Sequence, residues 1–142
     1  MGNIGRICIL GLLATLAAFG QTFTPGTAQG SITATSASCT TTACVQIAVN
    51  AETSAVTFAI TGTFSATITF EATLDGTNWF AYSAIAPGAN SATTRVYNTT
   101  AAATGIWQMN AAGFSAVRAR CSAYTSGTAG IYARRSTGPA AP

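Results

Sequence analysis

Few side chains in this sequence could take part in acid–base or metal chemistry. Among its 142 residues are three carboxylates, Glu52, Glu71 and Asp75, together with six arginines and neither lysine nor histidine. Without histidine the chain has no Ser-His-Asp triad, no imidazole base and no imidazole metal ligand. Three carboxylates also leave little for two-carboxylate or two-metal catalysis. The sequence therefore predicts a non-enzymatic protein with no cofactor and no bound metal.

One short segment does gather oxygen-bearing side chains beside an aromatic ring. Glu71, Asp75 and Asn78 precede Trp79. Oxygen ligands next to an aromatic platform could bind Ca²⁺ or a sugar. The Asp75-Gly76 pair is also a turn signal, in which Asp75 accepts backbone N–H bonds and Trp79 enters the core. The sequence supports both interpretations, a ligand site and an ordinary turn.

A second group of side chains carries positive charge. Arg118 and Arg120 alternate with apolar residues and are predicted to face outward, and Ser126-Gly127 predicts a turn. The returning strand would place Tyr132 and Arg134 on the same outward face. Arg and Tyr are enriched in interface hot spots. The pattern thus predicts an interface, or alternatively a solvated face. The scarcity of carboxylates suggests that an interface partner would be another protein or an acidic glycan.

The cysteines indicate structural roles. Cys39 and Cys44 are spaced for a small-loop disulfide if the chain is exported. Cys121 alternates with alanines on an apolar face and is predicted to be a buried free thiol. No histidine exists to activate it as a nucleophile.

Alternation of apolar and polar residues dominates the chain after residue 31. In residues 64–74 every even position is apolar, which predicts a strand with one buried face that includes Phe70 and Leu74. Residues 56–60 alternate in the same way, and Gly62-Thr63 between the two runs predicts a hairpin turn. Further strands are predicted at 79–85, 95–98, 106–109, 117–123 and 129–135. About eight short strands without helical periodicity predict an antiparallel β-sandwich or jelly roll.

Residues 1–20 differ from the rest of the chain. Arg6 is followed by an uncharged, largely apolar run, which predicts a signal peptide or, alternatively, an arm that docks on a neighbouring subunit. Residues 21–30 contain Pro25-Gly26 and are predicted to be a linker. The predicted domain spans 31–136, and 137–142 are predicted to be a flexible tail.

The charge content bears on partners. Only 6% of the residues are charged, against about 25% in ordinary soluble domains. Soluble β-proteins guard exposed edge strands with lysine or inward charges, and this chain has no lysine. We therefore expect a homo-oligomer, such as a trimer, or a docked subunit. The formal charge of +3 is too small and scattered to indicate nucleic-acid binding.

Three segments together resemble a known group of proteins. Residues 62–79 (GTFSATITFEATLDGTNW), 113–129 (GFSAVRARCSAYTSGTA) and 38–45 (SCTTTACV) are similar in pattern and order to small β-sandwich proteins of tailed bacteriophages. That resemblance implies a virion surface protein such as a capsid decoration, fibre or tail component, which binds itself and other virion proteins. The strand, Asp-Gly turn and Trp79 also resemble discoidin-type carbohydrate-binding modules.

Two functions follow as hypotheses. The first is a structural protein of a phage particle that acts through subunit contacts, with host surface glycan as a further partner. The alternative is a β-sandwich module, secreted after signal cleavage, that binds a carbohydrate or cell surface.

Overall fold

A computed structural model describes residues 26–88 and 95–137, and this part of the chain contains strands and no helix. The strands are β1 (Thr27–Ile32), β2 (Cys44–Ala48), β3 (Thr53–Thr73), β4 (Phe80–Ala81), β5 (Ala84–Ile85), β6 (Tyr97–Asn98), β7 (Thr100–Ala101), β8 (Gly105–Asn110) and β9 (Ala116–Thr137). The predicted N-terminal segment 1–20 lies outside the described residues, as does the tail beyond Thr137. Within the described residues, no helix could cross a membrane.

These strands form one antiparallel sheet in the order β1-β9-β3-β8-β5-β6. β2 also pairs with β9, and β4 and β7 pair with β3. The predicted all-β class is confirmed. The division into two separate sheets that a sandwich or jelly roll would show is not confirmed.

β3 and β9 pair with each other along almost their whole lengths of 21 and 22 residues. The two predicted hairpin turns, Gly62-Thr63 and Ser126-Gly127, are therefore wrong, since both pairs lie inside these strands. Gly62 and Gly127 have positive φ values of 99° and 85°. A Cβ at Gly62 would lie 2.3 Å from the Thr128 carbonyl oxygen, and one at Gly127 would lie 2.2 Å from that of Thr63. The glycines allow two strands to approach closely rather than one strand to reverse.

The long pair bends back on itself near these glycines. In a straight strand, residues 58 and 70 would be about 40 Å apart, yet the ring centroids of Phe58 and Phe70 are 5.6 Å apart. Register shifts in the β3–β9 pairing at Ser65/Ala66 and Thr67/Ile68 lie next to the bend, as β-bulges that sharpen strand curvature do. The bend divides the sheet into two arms whose inner faces pack together.

We call residues 53–61 and 129–137, with β1 and β8, the first arm. Residues 66–73 and 116–124, with β2, β4 and β7, form the second arm. Trp107 of the first arm contacts Phe70 of the second, with centroids 5.4 Å apart. The core lies between the arms.

The predicted alternation describes the core well. The fully buried side chains include Val56, Phe58, Ile60, Ile68, Phe70, Val117, Cys121 and Ile131. Leu74 was predicted to face inward but is 72% exposed, because β3 ends at Thr73. Ala123 is also exposed rather than inward.

The shorter elements differ in extent from the predictions. β1 begins at Thr27, inside the predicted linker, because residues 27–32 pair with β9. The strand predicted at 79–85 is divided into β4 and β5, and Tyr82 between them donates its backbone N–H to the carbonyl oxygen of Phe70.

Replacing Phe70 by alanine should lower the free energy of unfolding by about 3–5 kcal/mol, because the loss of a buried ring that packs on Phe58 and Trp107 of the first arm would leave a cavity. Thr69→Ala is the matched control. Its hydroxyl contacts Ser122 on the outer face, so the loss should stay below ~1 kcal/mol. Urea unfolding measures both, and the reverse ranking would contradict the register.

The close approach at the bend can be tested with Gly127→Ala. Gly76→Ala is the control, since Gly76 also has positive φ but has no atom within 4 Å of an added Cβ. The control measures the conformational cost of about 1–2 kcal/mol. Gly127→Ala should cost a further 1–3 kcal/mol, roughly, because the strands must separate. Equal unfolding free energies for the two variants would show that the bend tolerates a side chain.

Candidate functional site

The most concentrated charge in the described structure is a group that we call the arginine–glutamate cluster: Glu71, Arg118, Arg120 and Trp79. Glu71 lies on β3 directly opposite Arg118 on β9. Arg118 Nε donates to Glu71 Oε2 at 2.5 Å, and Arg120 Nη2 donates to Oε1 at 2.6 Å. Arg120 Nε also donates to both oxygens at 3.0–3.1 Å. One carboxylate therefore holds two guanidinium groups.

The cluster joins several parts of the fold. The guanidinium carbon of Arg118 lies 4.1 Å from the ring centroid of Trp79, a cation–π distance. Arg120 Nη1 donates to the Ser36 carbonyl oxygen at 3.0 Å. Ser36 precedes the loop that the Cys39–Cys44 disulfide closes. Strand β9 thus contacts the segment after the Asp75 turn through Arg118 and the segment before the disulfide loop through Arg120.

The cluster is buried, contrary to prediction. Arg118 was predicted to face outward, and the alternation of residues 64–74 placed Glu71 on the face opposite the core, yet the two residues are 7% and 6% exposed. Their outward direction along the strands was correct, but Trp79 and the chain around Ser36 cover this face. The prediction that the partner of these arginines belongs to another molecule is wrong for Arg118 and Arg120, because Glu71 of the same chain pairs with both.

The electrostatics favour a charged carboxylate. Burial by itself would raise the pKa of Glu71, but hydrogen bonds from Arg120 and Arg118 and their positive charges outweigh it, so the pKa lies below the ordinary value. The same contacts raise the pKa of Arg120. A carboxylate so occupied is not available as a general base.

Asp75 is occupied in a different way. Its Oδ1 accepts backbone N–H bonds from Asn78 at 2.8 Å and Thr77 at 2.9 Å, and the Thr73 hydroxyl donates to it. Its Oδ2 accepts from Asn78 Nδ2 at 2.6 Å. These bonds hold the pKa of Asp75 well below its usual range. Asp75 and Asn78 therefore close the turn.

The predicted ligand site at Glu71, Asp75, Asn78 and Trp79 is thus not assembled as an open cavity. The structure brings Glu71 and Trp79 together through Arg118, while Asp75 and Asn78 bind each other. Among the described residues, no group of three or more Cys, Asp or Glu side chains could hold a metal ion. This geometry favours the turn interpretation over the ligand site, although Trp79 packs on Arg118 and does not enter the core as predicted.

Cys121 is a buried free thiol. Burial raises the pKa of this thiol, which makes it a poor nucleophile at neutral pH.

The predicted interface is divided between the two arms. Arg118 and Arg120 lie on the second arm, whereas Tyr132 and Arg134 lie on the first. Because the inner faces of the arms pack together, their outer faces point in opposite directions. Without the predicted turn at Ser126-Gly127, the four residues do not form one surface.

Two surfaces on the described residues are open. Leu74 and Phe80 flank the Asp75 turn and are 72% and 70% exposed; we call this pair the turn patch. The second surface, the outer trough, lies on the outer face of the first arm. Its floor is Thr57 and Ala59 of β3, and the cavity above them has a volume of about 680 Å³.

Strand register builds the walls of the outer trough. Ala59 pairs with Ile106 on β8 and with Tyr132 on β9, and these two side chains are 64% and 60% exposed. Two residues away from Ala59 on the same face of β3, Thr57 pairs with Gln108 and Arg134. Beside Arg134, β1 contributes Thr27 to the outer trough, whereas Gln29, opposite Tyr132, lines a separate groove. Sequence reasoning selected Tyr132 and Arg134 but missed Ile106, because periodicity alone does not say which strand lies beside β3.

Comparisons with known proteins give one informative match. No family model and no curated protein matches the chain. A solved structure described as the SPBc2 prophage-derived protein YomS is similar, with a TM-score of 0.52 and 19% sequence identity. The similarity covers 78% of this chain and 95% of that one. At this identity the likeness concerns the fold.

Glu71→Gln tests whether the cluster stabilises the fold through charge. A carboxyl with a lowered folded pKa contributes stability that is complete above its unfolded pKa and is lost as the pH falls through the folded value. The free energy of unfolding of the wild type should therefore decrease as the pH is lowered below about 4.5, the ordinary pKa of this carboxyl group. The variant should be less stable by about 2–4 kcal/mol at pH 7 and lose less on acidification.

Urea unfolding at pH 7 and at pH 3 measures both effects. Asp75→Asn is the control, because Asp75 titrates with the same sign but lies outside the arginine pair. If Glu71→Gln lost as much stability as the wild type between these pH values, Glu71 would not be the titrating group.

Proposed function

We propose that this protein is a non-enzymatic structural subunit of a bacteriophage particle, located on the virion surface as a decoration, fibre or tail component, and that it acts through contacts with copies of itself and other virion proteins. The observation that carries the proposal is the turn patch. Leu74 and Phe80 lie on either side of the Asp75 turn and are the most exposed large apolar side chains of the described residues. Contiguous exposed apolar surface marks contact sites between proteins.

The charge distribution supports the same conclusion. In the described part of the chain, Glu71, Arg118 and Arg120 are used internally. The surface that remains is dominated by alanine, threonine and serine, with few charges to oppose association. A neutral surface with an exposed apolar end suits a subunit that is covered by neighbours.

The comparison adds support of a different kind. The similar solved structure carries a prophage-derived description, and the sequence segments around the Asp75 turn resemble small phage surface proteins. Neither observation names a particle component.

The alternative, a secreted module that binds carbohydrate through Trp79, is less favoured at that residue. Arg118 covers one face of the indole ring, and the neighbouring oxygens are already bonded. Arg118 therefore keeps one face of the Trp79 ring from stacking on a sugar.

Replacing both members of the turn patch by serine should weaken assembly. We expect the wild-type chain to be recovered in phage particles purified by density gradient and to self-associate in sedimentation velocity. Leu74→Ser/Phe80→Ser should leave the Tm nearly unchanged, since both residues are exposed, but should be depleted from particles at least about tenfold.

Tyr97→Ser is the matched control, because Tyr97 is 55% exposed on β6 and is not part of the turn patch. It should behave as the wild type does. Absence of the chain from purified particles would overturn the virion role, and equal incorporation of the double variant would overturn the assignment to the turn patch.

A further inference from the structure

We infer that the outer trough is a binding site for an anionic oligosaccharide, with Tyr132 as the stacking platform and Arg134 as the anchor for an acidic group. The inference goes beyond the subunit role and uses a different surface from the turn patch, so each can fail without the other.

The shape of the trough follows from the sheet. Neighbouring strands lie about 4.8 Å apart, so Ile106 and Tyr132 stand roughly 10 Å apart on either side of Ala59. The small Ala59 side chain leaves the space between them open. A cavity of about 680 Å³ lies within the usual range for small-ligand sites.

The lining combines one exposed ring with hydrogen-bonding groups. Tyr132 is 60% exposed and presents its ring beside the floor of the trough. Thr57 and Arg134 lie two residues along their strands from Ala59 and Tyr132, and Thr27 on β1 lies opposite Arg134, so that hydroxyl groups and a guanidinium group line the cavity beside the ring. A sugar ring presents apolar C–H groups on one face and hydroxyls at its edge, and these two kinds of lining match it.

The charge of the trough selects an acidic sugar. The guanidinium of Arg134 is exposed and makes no hydrogen bond or ion pair with the residues that the structure describes. Arg135 also lines the cavity, and no carboxylate of the described residues does. The planar guanidinium binds a carboxylate or phosphate through two parallel hydrogen bonds. An acidic group on the ligand would give Arg134 the partner that the described residues do not supply.

A sugar fits this surface better than a protein does. Protein interfaces are centred on clustered anchor residues, among them Trp, Tyr and Arg, that become fully buried in well-packed pockets. Here the floor is Ala59 and Thr57, and Ile106 and Tyr132 are the large apolar groups of the lining. The second groove, on the far side of Tyr132, is lined mainly by serine, threonine, glutamine and glycine, with a volume of about 480 Å³. This extends a hydroxyl-rich surface on which an oligosaccharide could continue.

Calorimetric titration of the full chain with defined sugars tests the inference. The acidic probes are hexagalacturonate and 3′-sialyllactose, and the neutral probe is maltohexaose. We expect an acidic probe to bind at least about tenfold more tightly than the neutral one. Tyr132→Ala and Arg134→Gln should each weaken that binding by about tenfold or more. Raising the salt concentration should weaken wild-type binding more than that of Arg134→Gln.

Tyr97→Ala is the matched control, an exposed tyrosine outside the trough, and it should bind as the wild type does. If neither acidic probe binds more tightly than maltohexaose, or if Tyr132→Ala binds normally, the inference is wrong. If Tyr132→Ala instead abolishes a dimer seen by sedimentation while the wild type binds no sugar, the trough is a protein interface and the inference is again overturned.

Discussion

The pairing of β3 with β9 is the constraint on which the rest of the fold depends. Every other described strand pairs directly with one of these two, apart from β5 and β6, which follow β8. The pair must bend for its inner face to become a core, and it bends where Gly62 and Gly127 let the two backbones approach within a distance that any side chain would prevent. These two glycines thus allow the strand pair to bend so that its inner face encloses a core.

The arginine–glutamate cluster shows how a chain with few charges uses them. Removing ions from water is costly, and the cost is recovered only when geometry and hydrogen bonding are complete. Glu71 meets this condition because two guanidinium groups bond to it and the Trp79 ring packs on one of them. The cluster also fixes register, since sliding β9 by one residue would bury arginines in the apolar core.

The sequence predicted the strand character and the core face well, because alternation reports directly on burial. Phe58, Phe70 and Val117 are all buried as expected. The prediction from sequence failed at Gly62-Thr63 and Ser126-Gly127. Such residue pairs occur in turns and also where two paired strands approach closely, and local sequence does not distinguish the two cases. It also failed for Glu71 and Arg118, because alternation gives the direction of a side chain but not what covers it. The outer trough required knowledge of which strands are neighbours, which depends on contacts between distant residues.

The separation of β3 and β9 along the chain affects synthesis. β3 ends at Thr73 and its partner begins at Ala116, so no local hairpin can start the pairing, and long-range β pairing is slow. At a translation rate of about 5–20 residues per second, several seconds pass between the synthesis of β3 and that of β9. In that interval β4, β7 and β8 can pair with one edge of β3, but the edge that β9 will occupy stays unpaired over 21 residues. An unpaired edge of this length exposes the nascent chain to pairing with its neighbours until β9 is complete.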